Sequence, residues 1–379
     1  MTRREILAMA GSAAAWLSPA RMSAQTSSFP KMGAAPTAFG HRGRGSGGGR
    51  GGAGGRGADA LADAPPSGAA PGRGAGGGRG PGGFDIIEHC HNIGLYGVQA
   101  SPPTDPEALK AFRQKLDSYQ MTLICDPRLP QDASGVAAFE AQVKAYKEAG
   151  AIAFHAAMTN RRYEEIASPE MFKQRFEQHQ KSIALAAPIL DKYRVPMGIE
   201  NHKGWRSAEQ AAWMKRVGSE YVGVCLDFGN NMSLCEVPEE TLTNLLPYIV
   251  FAHIKDMAVQ EYEDGFLLSE VQFGDGVVDL KMFVDTLRKK NPQMPIYLEM
   301  ITRDPLKIPV YNDSYWRSFD DTYSPLPGRD LAKILNLVRT KASKKPLPRT
   351  TGLSPEAQLK LEDDYNNECI QYGRKNLDL

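Results

Sequence analysis

The sequence has little of what marks a disulfide-bonded, nucleic-acid-binding or membrane-spanning protein. Its 5 cysteines are scattered and include no Cys-x-x-Cys pair, which argues against a disulfide framework or a zinc ribbon. The 45 basic and 44 acidic residues leave a net charge of +1, so charge gives no reason to expect nucleic acid or an anionic membrane as the main partner. No apolar run is long enough to span a bilayer.

The amino terminus has the pattern of an export signal. Arg3 and Arg4 precede an apolar stretch from Ala8 to Leu17, and small residues follow around Ala20 and Ala24. The adjacent arginines resemble a twin-arginine signal, which predicts a signal peptide over residues 1–24 and a periplasmic or extracytoplasmic location. A frayed basic terminus is the alternative.

Residues 42–83 consist mainly of Gly, Arg, Ala and Pro. Such a segment buries too little apolar surface to offset the entropy of ordering it, so we predict a disordered insertion. Its Arg-Gly-Gly character would also suit RNA contact. The near-neutral charge and the export signal favour a disordered insertion over RNA contact.

Elsewhere, strand-like and helix-like segments alternate about eight times, which is typical of a closed (β/α)8 TIM barrel in the α/β class. We place this barrel in residues 25–345 and a C-terminal helical extension in residues 346–379, with a helix starting at Ser354-Pro355-Glu356. A doubly wound open sheet is the structural alternative. No Gly-rich phosphate-binding fingerprint follows an early strand, which argues against it.

Four consecutive strand-like runs end in a chemically active residue. The runs are apolar, as expected of parallel strands with both faces covered, and they end near Glu200, Asp227, His253 and Glu299. Parallel strands would deliver all four side chains to one rim. Three carboxylates and an imidazole converging there would repel unless a cation lay between them.

At these residues the chain resembles the xylose isomerase-like TIM barrel superfamily of sugar phosphate isomerases and epimerases. The resemblance covers roughly residues 30–338, apart from the insertion, and is strongest between Val195 and Trp316. The matching motifs are Gly198-Ile-Glu200-Asn, Leu226-Asp227-Phe-Gly-Asn230, Ala252-His253-Ile-Lys-Asp256, Gly274-Asp-Gly-Val-Val-Asp279 and Leu298-Glu299.

The resemblance implies one divalent metal ion held by Glu200, Asp227, His253 and Glu299, with Glu200 and Glu299 doubling as the acid/base pair. Oxygen and imidazole ligands suit Mn²⁺ or Mg²⁺, with Co²⁺ or Zn²⁺ as alternatives. A metal on a substrate carbonyl acidifies the neighbouring C–H and stabilises an enediolate. Two carboxylates on opposite sides of that carbon would then remove and return the proton.

The sequence also departs from the family pattern. Asn230 stands where epimerases of the superfamily often carry a histidine, three residues after the metal aspartate. The endonuclease-IV-like members need several more histidines for a three-zinc cluster, and only His155 matches one of them. The DNA-repair interpretation is therefore disfavoured.

Other polar and aromatic residues near strand ends are candidates for substrate binding. Each of them has an alternative to substrate binding. The histidines could only form hydrogen bonds at the rim, the lysine could be solvated, Arg303 could form a salt bridge with Asp304 or Asp256, and the tryptophan could only pack. The candidates are His155, His202, Asn230, Lys255, Arg303 and Trp205.

Three functions follow from these patterns. The first is a metal-dependent sugar isomerase or epimerase, and the second is a lyase or hydrolase of 3-keto-glycosides on the same metal site. The third is a non-catalytic sugar-binding barrel. In each case the partner is a small-molecule carbohydrate, with no nucleic acid and no membrane span, and a homo-oligomer is possible.

Overall fold

The computed structural model describes residues 30–44 and 83–379, and these form a closed eight-stranded parallel barrel. Every neighbouring pair of barrel strands is parallel, and the first strand pairs with both the second and the last, which closes the ring. The predicted TIM barrel is confirmed, and the open-sheet alternative is wrong. The barrel strands are β1 Gly33–Ala34, β2 Gly97–Gln99, β3 Thr122–Cys125, β4 Ala151–Ala156, β5 Met197–Glu200, β6 Val222–Asp227, β7 Ile249–Ile254 and β10 Ile296–Leu298.

Helices surround the barrel, and several begin at a side-chain cap, one of them at the predicted start Ser354-Pro355-Glu356. Asp105 accepts a hydrogen bond from the Ala108 amide ahead of Pro106, and Ser354 does the same for Ala357. The helices are α1 Ile86–Asn92, α2 Pro106–Ser118, α3 Val136–Glu148, α4 Arg162–Glu165, α5 Pro169–Tyr193, α6 Ser207–Val217, α7 Pro238–Leu245, α8 Leu280–Lys290, α9 Asp313–Trp316, α10 Gly328–Lys341 and α11 Pro355–Tyr372.

A small antiparallel sheet follows β7, and the sequence patterns did not predict it. Its strands are β8 Asp256–Tyr262, β9 Gly265–Val271 and β11 Leu306–Ile308, in the order β11-β9-β8. β8 starts two residues after β7 ends, so no turn signal separates the two strands in the sequence. This sheet carries Glu270 to the rim where the carboxyl ends of the barrel strands meet.

The first strand is shorter than expected. The sequence from Pro30 to Phe39 favours one strand, but only Gly33–Ala34 pairs with its neighbours as a strand, and Pro36–Phe39 forms a 3-10 helix. Pro36 lies in the first turn of that helix, where its fixed φ suits a helix and its missing N–H costs nothing.

The C-terminal extension contains α11, which packs against the loop after β1 and is followed by a π-helix over Gly373–Leu377. The Glu362 carboxylate accepts hydrogen bonds from the His41 and Arg42 amides, and Asn366 donates to the Ala38 carbonyl. Arg42–Arg44, the first residues of the predicted insertion, form a 3-10 helix, and the Arg42 amide donates to Glu362.

The predicted signal peptide, and the rest of the insertion up to residue 82, lie outside the described residues and stay predictions. Within residues 30–44 and 83–379, no helix combines the length and apolar character needed to cross a membrane.

Candidate metal centre

Four side chains from adjacent barrel strands converge at the carboxyl end of the barrel. Glu200 ends β5, Asp227 ends β6, His253 lies near the end of β7, and Glu299 directly follows β10. One potential ligand atom from each of them lies within 4.8 Å of those of the other three, and all four residues are buried. Because β10, β7, β6 and β5 are successive neighbours, the two glutamates flank Asp227 and His253.

Asp227 is held by the backbone around it. Its Oδ1 accepts hydrogen bonds from the amides of Gly229 (3.1 Å) and Asn230 (3.2 Å). The Asn201 side chain accepts from the Asp227 amide and donates to the Asp227 carbonyl, at 2.7 and 2.9 Å. With Oδ1 satisfied by the chain, Oδ2 is the oxygen that faces the centre and Lys255.

His253 presents one nitrogen to the cluster. Its Nε2 lies 3.0 Å from Gln99 Oε1, a carbonyl oxygen that only accepts, so Nε2 carries the proton. Nδ1 is buried, lies 3.8 Å from Glu299 Oε1 and has no hydrogen-bond partner among the described residues. Burial lowers the pKa of His253, which keeps the ring neutral. A neutral imidazole with a bare buried nitrogen is suited to bind a metal.

The two glutamates are anchored by different partners. Glu200 accepts from Asn230 Nδ2 (2.8 Å) and faces His155 Nε2 (2.9 Å). Burial disfavours the Glu200 carboxylate, but His202 and His155 lower its pKa to about 2. Glu299 accepts from Thr37 Oγ1 (3.0 Å) and Lys255 Nζ (2.9 Å).

His155 lies between two carboxylates. Its Nδ1 is 2.6 Å from Asp126 Oδ1, opposite the Glu200 contact at Nε2. Burial by itself would lower the pKa of His155, but Asp126 and Glu200 raise it to about 10. Both ring nitrogens therefore donate, and His155 neutralises charge beside the cluster.

Lys255 reaches into the cluster itself. Its ammonium lies 2.5 Å from Asp227 Oδ2 and 2.9 Å from Glu299 Oε2. Burial disfavours this ammonium, but the two carboxylates hold the pKa of Lys255 well above its ordinary value. One ammonium offsets only one of the three carboxylates of the cluster. The remaining negative charge and the bare Nδ1 of His253 fit a divalent cation.

The structure also locates the other predicted substrate-binding residues. His202 Nδ1 donates to the Thr159 carbonyl at 2.6 Å. Trp205 is 1% exposed and packs on Trp213, with ring centroids 5.0 Å apart, so it lies in the packing between helix and barrel. Arg303 forms two hydrogen bonds with Glu270, a partner that neither the substrate-binding prediction nor its salt-bridge alternative named. Asn230 contacts Glu200, as described above.

Sequence reasoning missed several residues that contact the centre or the side chains next to it. Gln99 ends β2 and Asp126 follows β3, so the rule that selected the four ligand candidates would also have selected these two. Thr37 and Glu270 carried no comparable signal, because they lie in a loop and in the unpredicted sheet. The missed residues are Thr37, Gln99, Asp126, Asn201 and Glu270.

Comparison with known proteins gives one family. A family model described as xylose isomerase-like TIM barrel matches residues 83–317, more than half of the chain of 379 residues. Among curated proteins, 3-oxo-isoapionate decarboxylase from Pectobacterium atrosepticum is 29% identical over 103 residues, which is 27% of this chain and 38% of that protein. The match therefore spans less than two thirds of this relative's length.

Solved structures with a similar fold include two sugar epimerases. A D-psicose 3-epimerase crystallised with D-fructose has a TM-score of 0.48 at 15% identity, covering 77% of this chain and 93% of its own. A 3-keto-D-glucoside 4-epimerase from E. coli has a TM-score of 0.42 at 12% identity, covering 68% and 93%. A barrel protein from Mycobacterium smegmatis in complex with magnesium has a TM-score of 0.47 at 14% identity, covering 82% and 97%.

Proposed function

The chain belongs to the xylose isomerase-like TIM barrel family, and from this premise we propose that it is a metal-dependent sugar isomerase or epimerase. The observation that carries the proposal is the cluster of Glu200, Asp227, His253 and Glu299, whose ligand atoms lie within 4.8 Å of one another at the carboxyl end of the barrel. Active sites of TIM barrels lie at this end. The proposed substrate is a small carbohydrate.

The cluster supports a bound divalent ion. When held by these four residues, such an ion would polarise a substrate carbonyl and make the neighbouring C–H more acidic. Three carboxylates and one imidazole suit Mn²⁺ or Mg²⁺ best, with Co²⁺ or Zn²⁺ as alternatives.

Glu200 and Glu299 are proposed to move the proton. They stand at the two ends of the four-strand arc, so a substrate over the centre would have one carboxylate on each side. One glutamate takes the proton from carbon, and the other donates a proton to the opposite face, which inverts that carbon. A single glutamate that moves the proton between adjacent carbons would isomerise the sugar instead. Hydrogen bonds from Asn230 and Thr37 hold the two carboxylates in place.

A lyase or hydrolase acting on an oxidised 3-keto-glycoside is the second candidate. The name of the curated relative, 3-oxo-isoapionate decarboxylase, supports bond cleavage next to a 3-oxo group. The same base would remove the proton next to the keto group, and the neighbouring substituent would then leave.

Hydrogen exchange in D₂O tests both candidates. The Mn²⁺-loaded protein is incubated with free ketoses, aldoses and 3-keto-glycosides, and the products are followed by NMR. We expect one carbon-bound hydrogen of the substrate to exchange, at a rate that Glu200→Gln lowers by at least about 100-fold. The exposed Glu107→Gln is the matched control and should exchange at the wild-type rate.

The products separate the candidates. Inversion or carbonyl migration identifies an isomerase, and release of an aglycone identifies a lyase or hydrolase. Binding of a sugar without exchange, on every member of the panel, would overturn both candidates in favour of a non-catalytic sugar-binding barrel.

A further inference from the structure

We propose that Gln99 and Asp126 are positioning residues that hold His253 in the tautomer whose bare Nδ1 faces the metal centre. Neither residue belongs to the four-residue cluster. The inference rests on the proposed function, because it gives these residues a purpose in metal binding. The evidence for it is a series of hydrogen bonds that runs from Asp126 through Gln99 to His253.

The first step is the orientation of the Gln99 amide. Gln99 is buried, and its Nε2 lies 2.9 Å from Asp126 Oδ1 and 3.1 Å from Asp126 Oδ2. A carboxylate only accepts, so the NH₂ group of Gln99 must face Asp126. The opposite orientation would place the Gln99 carbonyl oxygen against a carboxylate, and two acceptors repel.

The second step is the effect of this orientation on the tautomer of His253. With its NH₂ group on Asp126, Gln99 presents Oε1 to His253 Nε2 at 3.0 Å. The carbonyl oxygen needs a donor, so the proton of the imidazole resides on Nε2. Nδ1 then keeps its lone pair, and this is the buried nitrogen without a hydrogen-bond partner among the described residues. A hydrogen bond to the second nitrogen commonly sets the orientation and tautomer of a metal-binding histidine.

His155 does not disturb this arrangement. Gln99 Nε2 lies 3.1 Å from His155 Nδ1, but both atoms donate to the same oxygen, Asp126 Oδ1. Their proximity follows from the shared acceptor. Asp126 therefore orients two side chains that contact the cluster, Gln99 at His253 and His155 at Glu200, while its own side chain is 42% exposed. That exposure makes it a site where substitution should not unfold the protein.

The tautomer can be read directly in the metal-free protein. Histidine-selective ¹⁵N labelling with long-range ¹H–¹⁵N correlation reports the protonated nitrogen of each of the 7 histidines, and the spectrum of His253→Gln assigns the signal. We expect Nε2–H in the wild type. In Asp126→Asn the carbonyl oxygen stays at the Oδ1 position to accept from His155, so the new NH₂ group takes the Oδ2 position, 3.1 Å from Gln99 Nε2. Two donors at this distance repel, so the Gln99 amide is expected to turn and shift His253 toward the Nδ1–H form.

Metal affinity gives the second measurement. Titration calorimetry with Mn²⁺ should show binding weakened by about 10- to 100-fold in Asp126→Asn and in Gln99→Met, the range found when such supporting hydrogen bonds are removed. The exposed Gln114→Met is the matched control and should bind Mn²⁺ like the wild type.

A double variant distinguishes positioning from simple packing. Gln99→Glu combined with Asp126→Asn exchanges donor and acceptor, keeps the total charge and still offers an oxygen to His253. It is expected to restore the Nε2–H tautomer and most of the lost Mn²⁺ affinity, which a purely structural role would not predict.

The inference is overturned if Asp126→Asn and Gln99→Met both keep the wild-type tautomer, or if both bind Mn²⁺ within about threefold of the wild type. Failure of the proposed function looks different, because the wild type would then show no hydrogen exchange on any sugar of the panel, whether or not it binds Mn²⁺. In that case the spectra still decide whether Gln99 and Asp126 set the tautomer of His253.

Discussion

Asp256 shows how a single buried carboxylate holds the loop that contains Gly274, Gly276 and Val278. It accepts hydrogen bonds from the backbone amides of Met257, Gly274, Gly276 and Val278, at distances of 2.9 to 3.2 Å. A Cβ atom at residue 276 would lie 2.0 Å from Asp256 Oδ1, so this position requires glycine. The motif from Gly274 to Asp279, which carried part of the family resemblance, therefore has a structural role.

Replacing Asp256 with alanine should destabilise the fold by about 3 kcal/mol, because buried amides without a partner cost roughly 1–3 kcal/mol each and water will satisfy some of them. Urea denaturation followed by circular dichroism measures the loss. Asp264→Ala, at an exposed position, is the control and should stay within about 0.5 kcal/mol of the wild type. A loss below about 1 kcal/mol for Asp256→Ala would contradict this account.

At the scale of secondary-structure elements, α11 and the loop after β1 act together at the rim. Thr37 in this loop donates to Glu299, and His41 Nε2 lies 2.8 Å from the Thr302 carbonyl. Glu362 of α11 holds the loop through two backbone amides. The C-terminal extension thus braces a segment that contacts one of the proposed metal ligands.

This brace should depend on pH. Burial raises the pKa of Glu362 to about 7, although the amides of His41 and Arg42 oppose the rise. A carboxyl whose pKa is higher in the folded protein than in the unfolded chain stabilises the fold while it is protonated. Its contribution is therefore full below its ordinary pKa of 4.5 and is lost as the pH rises through about 7.

Glu362→Gln removes this titration but keeps an oxygen for the loop amides. Relative to the wild type, the variant should gain stability as the pH is raised from 5 to 8, as measured by urea denaturation at each pH. The control Glu107→Gln, at an exposed position, should show no such trend. A stability difference between Glu362→Gln and the wild type that is the same at both pH values would refute the assignment.

At the scale of the whole molecule, the proposed metal would connect four neighbouring strands at one end of the barrel. Without it, the carboxylates of Glu200, Asp227 and Glu299 repel one another, and Lys255 offsets only part of that repulsion. A ligand that binds only the folded state stabilises it by about 2.7 kcal/mol at 100 times its Kd.

Saturating Mn²⁺ should accordingly raise the thermal unfolding midpoint by on the order of 5 °C, and a chelator should reverse the rise. Differential scanning calorimetry at several Mn²⁺ concentrations measures the shift. Asp227→Asn keeps the shape of the side chain but removes a ligand charge, so its midpoint should not respond to Mn²⁺. An equal response in this variant would place the metal elsewhere.

Local patterns were enough to predict the architecture and much of the centre. The alternation of strands and helices is visible without knowing any tertiary contact, and a polar residue that ends an apolar strand stands out in the sequence. The small antiparallel sheet was missed because β8 follows β7 without a turn signal. The partner of Arg303 was missed for the same reason, since Glu270 lies in that sheet.

The sequence alone therefore determined the barrel and the strand ends that carry Glu200, Asp227, His253 and Glu299, because periodicity and strand order are local properties. Only the tertiary structure decided which side chains meet there. Gln99 contacts His253 from 154 residues away, and Thr37 contacts Glu299 across 262 residues. Such contacts depend on closure of the ring, which brings the first strands beside the last and has no signature in any single segment.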